Sequence, residues 1–217
     1  MFHRLGKLAV VAGALLLLTS TAVAQRFNPF GGGGGKAMLL MNPDVQQELK
    51  LSEEQIDKIK TVSQSVFEKN KEIFAKLKDT PKEELREKFQ EIAKVIAEET
   101  DKSLKDVLKP EQMKRMRQLE LQQRGFEAFT DAQVQQDLKL DDDQKEKIKT
   151  LAEDARKEIG ELFQGGKGNF QEAMTKIQAL RKDNLEKVMS TLKEGQKKTW
   201  KELTGEPFEF KLRRPGT

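Results

Sequence analysis

The chain has no cysteine and no tyrosine, and its single histidine is His3. Without cysteine there is no disulfide to hold a small core together and no thiolate nucleophile. Imidazole and thiolate are the usual ligands of zinc, copper and nickel, so no metal site and no cofactor are expected. The same shortage removes the commonest general bases and nucleophiles. Ser190-Thr191-Leu192-Lys193 matches the S-x-x-K of penicillin-interacting serine enzymes, but the S-D-N and K-T-G elements of that chemistry are missing. No catalytic residue is assigned, and the chain is not expected to be an enzyme. Asp141-Asp142-Asp143 lacks the glycine and the spacing of a calcium loop. It reads as a helix start whose first-turn acids suit the helix dipole. Met113 and Met116 share a helix face and read as core.

Long apolar runs are scarce too. The one present, Leu8 to Leu18, follows Arg4 and Lys7 and precedes Ala22-Val23-Ala24, the pattern of a signal peptide cleaved after Ala24. A spanning helix needs about 20 apolar residues, and this run breaks at Thr19-Ser20-Thr21, so no stable membrane anchor is expected. No cysteine follows it to carry a lipid. The expected location is the periplasm of a Gram-negative-type cell, or the outside.

Cleavage there would take Arg4 and Lys7 from the 40 basic residues, leaving 38 against 36 acidic ones. Lys211, Arg213 and Arg214 account for that excess, so the sequence pI near 9.0 reflects no basic face and nucleic acid is not an expected partner. Charged residues make up 35% of the chain and hydrophobic ones 36%, the latter inflated by the signal segment. That balance suits amphipathic helices in thin layers, stabilised by packing alone.

What is present is organised as a repeat. Residues 1–24 are the signal peptide and 25–41 a Gly-rich flexible arm containing five consecutive glycines. Phe27 and Phe30 make the arm aromatic; they dock on the protein's own surface or contact a partner. Val45 to Val62 aligns without a gap to Val134 to Leu151, with 11 of 18 positions identical. Residues 42–125 and 126–205 are therefore read as two tandem helical units. Residues 206–217 form a tail, where Phe208, Phe210 and Leu212 give the only strand-like alternation.

Apolar residues recur at helical steps through Ile56, Ile59, Val62, Val66, Ile73 and Leu77, and through Leu85, Phe89, Ile92, Ile96, Leu104 and Leu108. The second unit repeats this with Ile148, Leu151, Ala155, Ile159 and Leu162, then Phe170, Ala173, Ile177, Leu180, Val188 and Leu192. Breakers fall at Asp79-Thr80-Pro81, where Pro81 suits the first helical position and Thr80 with Glu83 a capping box, and at Gly125, Gly165-Gly166, Gly168 and Gly205. Each unit reads as a short helix, two long helices in a hairpin, and a shorter final helix. The fold class is all-α, the two hairpin units packing on each other as an intrachain pseudo-dimer.

Four signals recur in register. In Leu51-Ser52-Glu53-Glu54-Gln55-Ile56, Ser52 suits the N-cap, Gln55 can reach back to the cap amide, and Leu51 can staple to Ile56. Leu140, Asp141 and Gln144 repeat the box, with Lys145 where the staple partner would be. Leu108 with Gln112 and Leu192 with Gln196 keep the flanking positions around Lys109 and Lys193, which are poor caps. All four are read as structural helix starts.

LSEEQ, LKPEQ, LDDDQ and LKEGQ resemble the Leu-Thr-x-x-Gln motifs of the Spy/CpxP family of envelope-stress proteins, over roughly Asn42 to Gly205. The threonine is replaced throughout: Ser52 and Asp141 substitute chemically, whereas Lys109 and Lys193 do not. The resemblance implies a thin, curved helical cradle that holds unfolding proteins without ATP. Some members instead regulate envelope sensor kinases, and related ones bind metals, a branch the missing histidine and cysteine disfavour. Two functions follow as alternatives: a periplasmic holdase whose partners are unfolded clients, or a regulatory or structural protein docking on one envelope partner such as a sensor kinase domain. Phe27, Phe30, Phe126 and Phe129 are the candidate partner contacts, packing between the units being the other reading of Phe126 and Phe129. Self-association as a homodimer is left open.

Overall fold

A computed structural model describes residues 35–77, 80–164 and 170–210. The signal segment, Phe27, Phe30 and the glycines at 165, 166 and 168 lie outside the described residues. Among the described residues helices are the only regular secondary structure, with no strand. Short helices α1 (Gly35–Met41) and α2 (Pro43–Glu48) lead into the long hairpin of α3 (Glu53–Lys76) and α4 (Lys82–Leu104), and α5 (Pro110–Arg124) closes the first half. A 3₁₀ segment, Gly125–Thr130, then leads into the second half. There α6 (Ala132–Asp137) precedes the hairpin of α7 (Asp142–Gln164) and α8 (Phe170–Thr191), and α9 (Glu194–Thr204) ends it.

Local chemistry sets these boundaries. Asn42 accepts the Asp44 N–H at the start of α2, and Asp131 accepts the Gln133 and Val134 N–H groups at the start of α6. Both short helices end in the same left-handed turn: Lys50 and Lys139 each have φ 50°. In the first, Leu51 N–H donates to Gln46 C=O and Lys50 N–H to Gln47 C=O; Leu140 and Lys139 bond to Gln135 and Gln136 in the same way. This double bond is the Schellman closure, which uses the orphan carbonyls of the last turn and holds a lysine where glycine is usual. At α4, Pro81 takes the N-cap itself, one residue ahead of the expected register, and its carbonyl accepts from Glu84 and Leu85. The fixed φ of proline is compatible with either position, because only ψ distinguishes them, and here ψ is 147°. Glu83's side chain, the other half of the expected box, is outside the described residues.

The expected arm is too long by one helix. α1 occupies Gly35–Met41, and its Leu39 and Leu40 are buried. The apolar run after the glycines has a core to enter, so it folds rather than tethers. Its register repeats in the second half, 89 residues on. Gln46 Nε2 donates to Leu40 C=O at 2.7 Å, and Gln135 Nε2 to Phe129 C=O at 2.9 Å.

Apolar side chains collect in two clusters. The first joins Leu39, Leu40, Val45, Leu49, Ile59, Leu104, Leu108, Met116 and Leu119. The second joins Phe126, Ala128, Phe129, Val134, Leu138, Leu140, Ile148, Ala152, Ala155, Val188, Leu192 and Trp200, and it also takes Leu121. Helix α5 thus feeds both, Met116 and Leu119 to one and Leu121 to the other. It packs directly on α9. The tail differs from its strand-like pattern: Phe208 and Phe210 have no ladder partner and pack against the first cluster, far from them in sequence.

Between the halves, Arg124 Nη1 donates to Asp131 Oδ2 at 3.0 Å, with Arg117 3.7 Å from the same carboxylate. Burial alone would raise the Asp131 pKa, but the Arg124 bond, the Val134 N–H and both guanidinium charges hold it below its ordinary 3.8. A carboxylate with a lowered folded pKa stabilises the fold above its unfolded pKa and loses that contribution as pH falls through the folded value. Asp131→Asn keeps a capping oxygen, as Asn42 does in the first half, but removes the charge. At pH 7 it should lower stability by about 0.2–1 kcal/mol. The gap from the parent chain should close below pH 3.8, as measured by urea denaturation across pH.

Candidate functional site

The four repeated signals are brought together in two pairs, one in each half. At α3, Gln55 N–H donates to Ser52 Oγ at 3.2 Å and Ser52 N–H to Gln55 Oε1 at 3.1 Å, the full reciprocal box. At α7, Gln144 N–H and Asp141 N–H make the same exchange at 3.0 and 3.1 Å. The second signals keep half of it. Lys109 N–H donates to Gln112 Oε1 at 2.9 Å and Lys193 N–H to Gln196 Oε1 at 2.8 Å, while an ammonium can return no acceptor.

Each glutamine also reaches beyond its own helix. Gln55 Nε2 donates to Gln112 Oε1 at 2.7 Å, and Gln112 Nε2 donates back to Gln55 Oε1 at 3.2 Å. The remaining donors go to backbone carbonyls at helix ends: Gln55 to Val107 at 2.8 Å, Gln112 to Leu49 at 3.1 Å. In the second half Gln144 and Gln196 exchange bonds at 2.8 and 2.9 Å, and donate to Thr191 and Lys139 carbonyls at 2.8 and 3.3 Å. Gln112, Gln144 and Gln196 are buried. The four leucines of the signals flank these amides; Leu108, Leu140 and Leu192 are buried and Leu51 packs against the first cluster.

A primary amide has two donors and two acceptor lone pairs, and here every donor and each oxygen is used. Glutamine is the side chain that can close its own helix start and a facing one at once. Spacing along the chain reveals only the local half of this arrangement. The signal of the other half is that glutamine persists at all four positions while the cap changes from Ser52 to Lys109, Asp141 and Lys193.

Two of the four aromatic contact candidates, Phe126 and Phe129, are corrected by burial. Phe126 is 1% exposed and Phe129 0%, so neither is on a surface where a partner could meet it. Both lie in the second cluster, and the Phe129 ring stands 4.2 Å from that of Trp200. Their apolar area is worth more inside a thin core than outside it. Ser190 and Lys193 go separate ways, the hydroxyl donating to Lys187 C=O and the ammonium pairing with Asp141 at 3.1 Å. Asp141's pKa is lowered, chiefly by the Gln144 N–H and then by Lys193. Asp142 and Asp143 occupy the first turn of α7.

The outer faces carry short-range ion pairs such as Glu54–Lys58, Glu68–Lys71, Glu172–Lys176 and Asp183–Lys187. Among the described side chains four large apolar ones stand out: Phe67 at 57% exposure, Met41 at 47%, Val95 at 42% and Ile73 at 38%. All four belong to the first half, three of them to the α3–α4 hairpin. No group of three or more His, Cys, Asp or Glu that could hold a metal ion occurs among the described residues. No helix among them is long and apolar enough to cross a membrane.

A double-mutant cycle on Gln144 and Gln196 tests the amide pair. Each single leucine substitution leaves a buried amide half-satisfied and should cost about 1–3 kcal/mol. The double substitution removes both polar groups and should cost less than the sum, with a coupling above about 0.5 kcal/mol in chemical denaturation.

No family model matches the chain, and neither a curated protein nor a solved structure matches it.

Proposed function

We propose that this protein is an ATP-independent holdase of the bacterial envelope, similar in kind to the Spy/CpxP proteins its four motifs resemble. In this reading residues 1–24 direct export to the periplasm, and a duplication built two units that work as an intrachain pseudo-dimer. One observation carries the functional part: Phe67, Ile73 and Val95 are exposed on the first two-helix hairpin, which also carries short-range ion pairs such as Glu54–Lys58 and Glu68–Lys71. Apolar residues scattered in a charged, single-layer surface can hold unfolded segments weakly and release them without a nucleotide. Mixed charge keeps the complex soluble. The packing of α5 on α9, and of the tail on the first cluster, supports the pseudo-dimer.

The alternative, a regulatory protein docking on one envelope partner, has Phe27, Phe30, Phe126 and Phe129 as its candidate contacts, and of these Phe126 and Phe129 are buried. Client breadth separates the two readings. The mature chain should suppress aggregation of several unrelated unfolding proteins without ATP. Phe67→Ser with Val95→Ser should weaken suppression at least threefold while the melting temperature stays within about 2 °C, since exposed substitutions cost little. Suppression of one client alone, or of none, would count against the holdase.

A further inference from the structure

Beyond Thr204 the chain does not trail away. Gly205 turns it with φ +62° and ψ −155°, a conformation essentially reserved for glycine, and a Cβ there would sit 2.5 Å from the Gln118 side chain. The next five residues form neither helix nor strand, and Phe208 and Phe210 among them lie back on the first half.

The segment is held in two ways. Its backbone is caught by two α5 side chains. Gln122 Nε2 donates to Thr204 C=O at 2.6 Å and Glu206 C=O at 2.8 Å, and Gln122 Oε1 accepts Phe208 N–H at 2.8 Å. Arg115 Nη1 donates to Glu206 C=O at 2.9 Å. Arg115 is itself fixed beforehand by Glu48 at 2.7 Å and Gln118 at 3.1 Å. The side chains then alternate: Phe208 and Phe210 turn to the first apolar cluster, their rings 4.9 Å apart and edge-on, while Glu209 stays exposed.

Backbone bonds that demand no particular residue, together with apolar seats for alternate side chains, make up the general mode by which proteins capture extended peptides. Among the described residues the second half shows no matching clasp: the positions 84 residues after Arg115 and Gln122 are Thr199 and Glu206, which cannot repeat it.

We propose that the α5 face of the first half is a peptide-binding seat for an extended segment with aromatic side chains at alternate positions, and that residues 206–210 are its resident occupant. This rests on the holdase reading for its physiological ligand, since alternating aromatic segments are what unfolding strands expose. The tail then acts as a tethered competitor, present at an effective concentration on the order of millimolar. Foreign segments enter only when the tail leaves.

The test uses the mature chain and a fluorescent peptide with the sequence of residues 205–212. The Phe208→Ser, Phe210→Ser double variant should bind the peptide at least tenfold more tightly than the unaltered chain in fluorescence anisotropy. A peptide with both phenylalanines replaced by serine should not bind. Equal binding by the two proteins, or equal binding of the two peptides, overturns the proposal. Should the double variant lose helical circular dichroism, the unaltered chain decides. Excess peptide should then accelerate hydrogen exchange at the Phe208 amide, and an unchanged rate overturns the seat. Aggregation suppression is scored separately. Suppression without peptide binding removes the seat alone, and peptide binding without suppression removes the holdase alone.

Discussion

Two carboxamides facing each other across a helix junction hold each half of this protein together. A helix leaves its last carbonyls and first N–H groups without partners, and a hairpin whose ends meet brings several such groups to one place. In each half the glutamine pair answers both needs. Its oxygens take the cap N–H groups of two helix starts, and its nitrogens take carbonyls at the ends of two others. Because most of these amides are buried, an alternative arrangement that broke one bond would strand a polar group in a low-dielectric site. The pair therefore specifies geometry as much as it contributes stability. It fixes where α2 hands over to α3 and where α4 hands over to α5, and α6 to α9 repeat the arrangement.

With the junction fixed, the hairpins can be thin. Their length is sustained by one apolar stripe per helix and by charge pairs three or four residues apart, each worth only a few tenths of a kcal/mol. Asn70, buried within the first hairpin, shows how little slack this leaves. Its amide donates to Val66 C=O at 2.8 Å and reaches Glu99 across the hairpin at 2.9 Å. Among the described residues, apolar side chains such as Ile73 are left half-covered on the hairpin. Exposure at the hairpin and rigidity at the junction are thus two results of one economy.

The element order was legible in the sequence because it rests on local chemistry: periodic apolar residues, Ser52 and Asp141 before acidic first turns, Gly125 and Gly205 after the last helices. What depended on distance was not. Leu39 and Leu40 looked like the end of a tether because nothing local says that a core awaits them. Phe126 and Phe129 looked available because a short Gly-Phe segment resembles a loop, and only the second cluster shows where they go. Gln55 could be placed at N3 by spacing alone, but its partner lies 57 residues away and no period reveals it. Arg115 and Gln122 carried no signal at all, since their partners are backbone atoms of the tail.

The bonds from Arg115 and Gln122 to the tail span 82 to 91 residues, whereas the capping boxes and the ion pairs along the outer helix faces span three or four. Contacts that close so long a stretch of chain bear their entropy cost before they return anything, so they form late. The two hairpins can assemble first, each around its own amide pair at a separation of 57 or 52 residues. The tail then finds α5 already in place. By the same ordering its contacts are the least supported by their neighbours, which makes residues 206–210 the natural first unit of native-state opening, on a surface whose other parts stay closed.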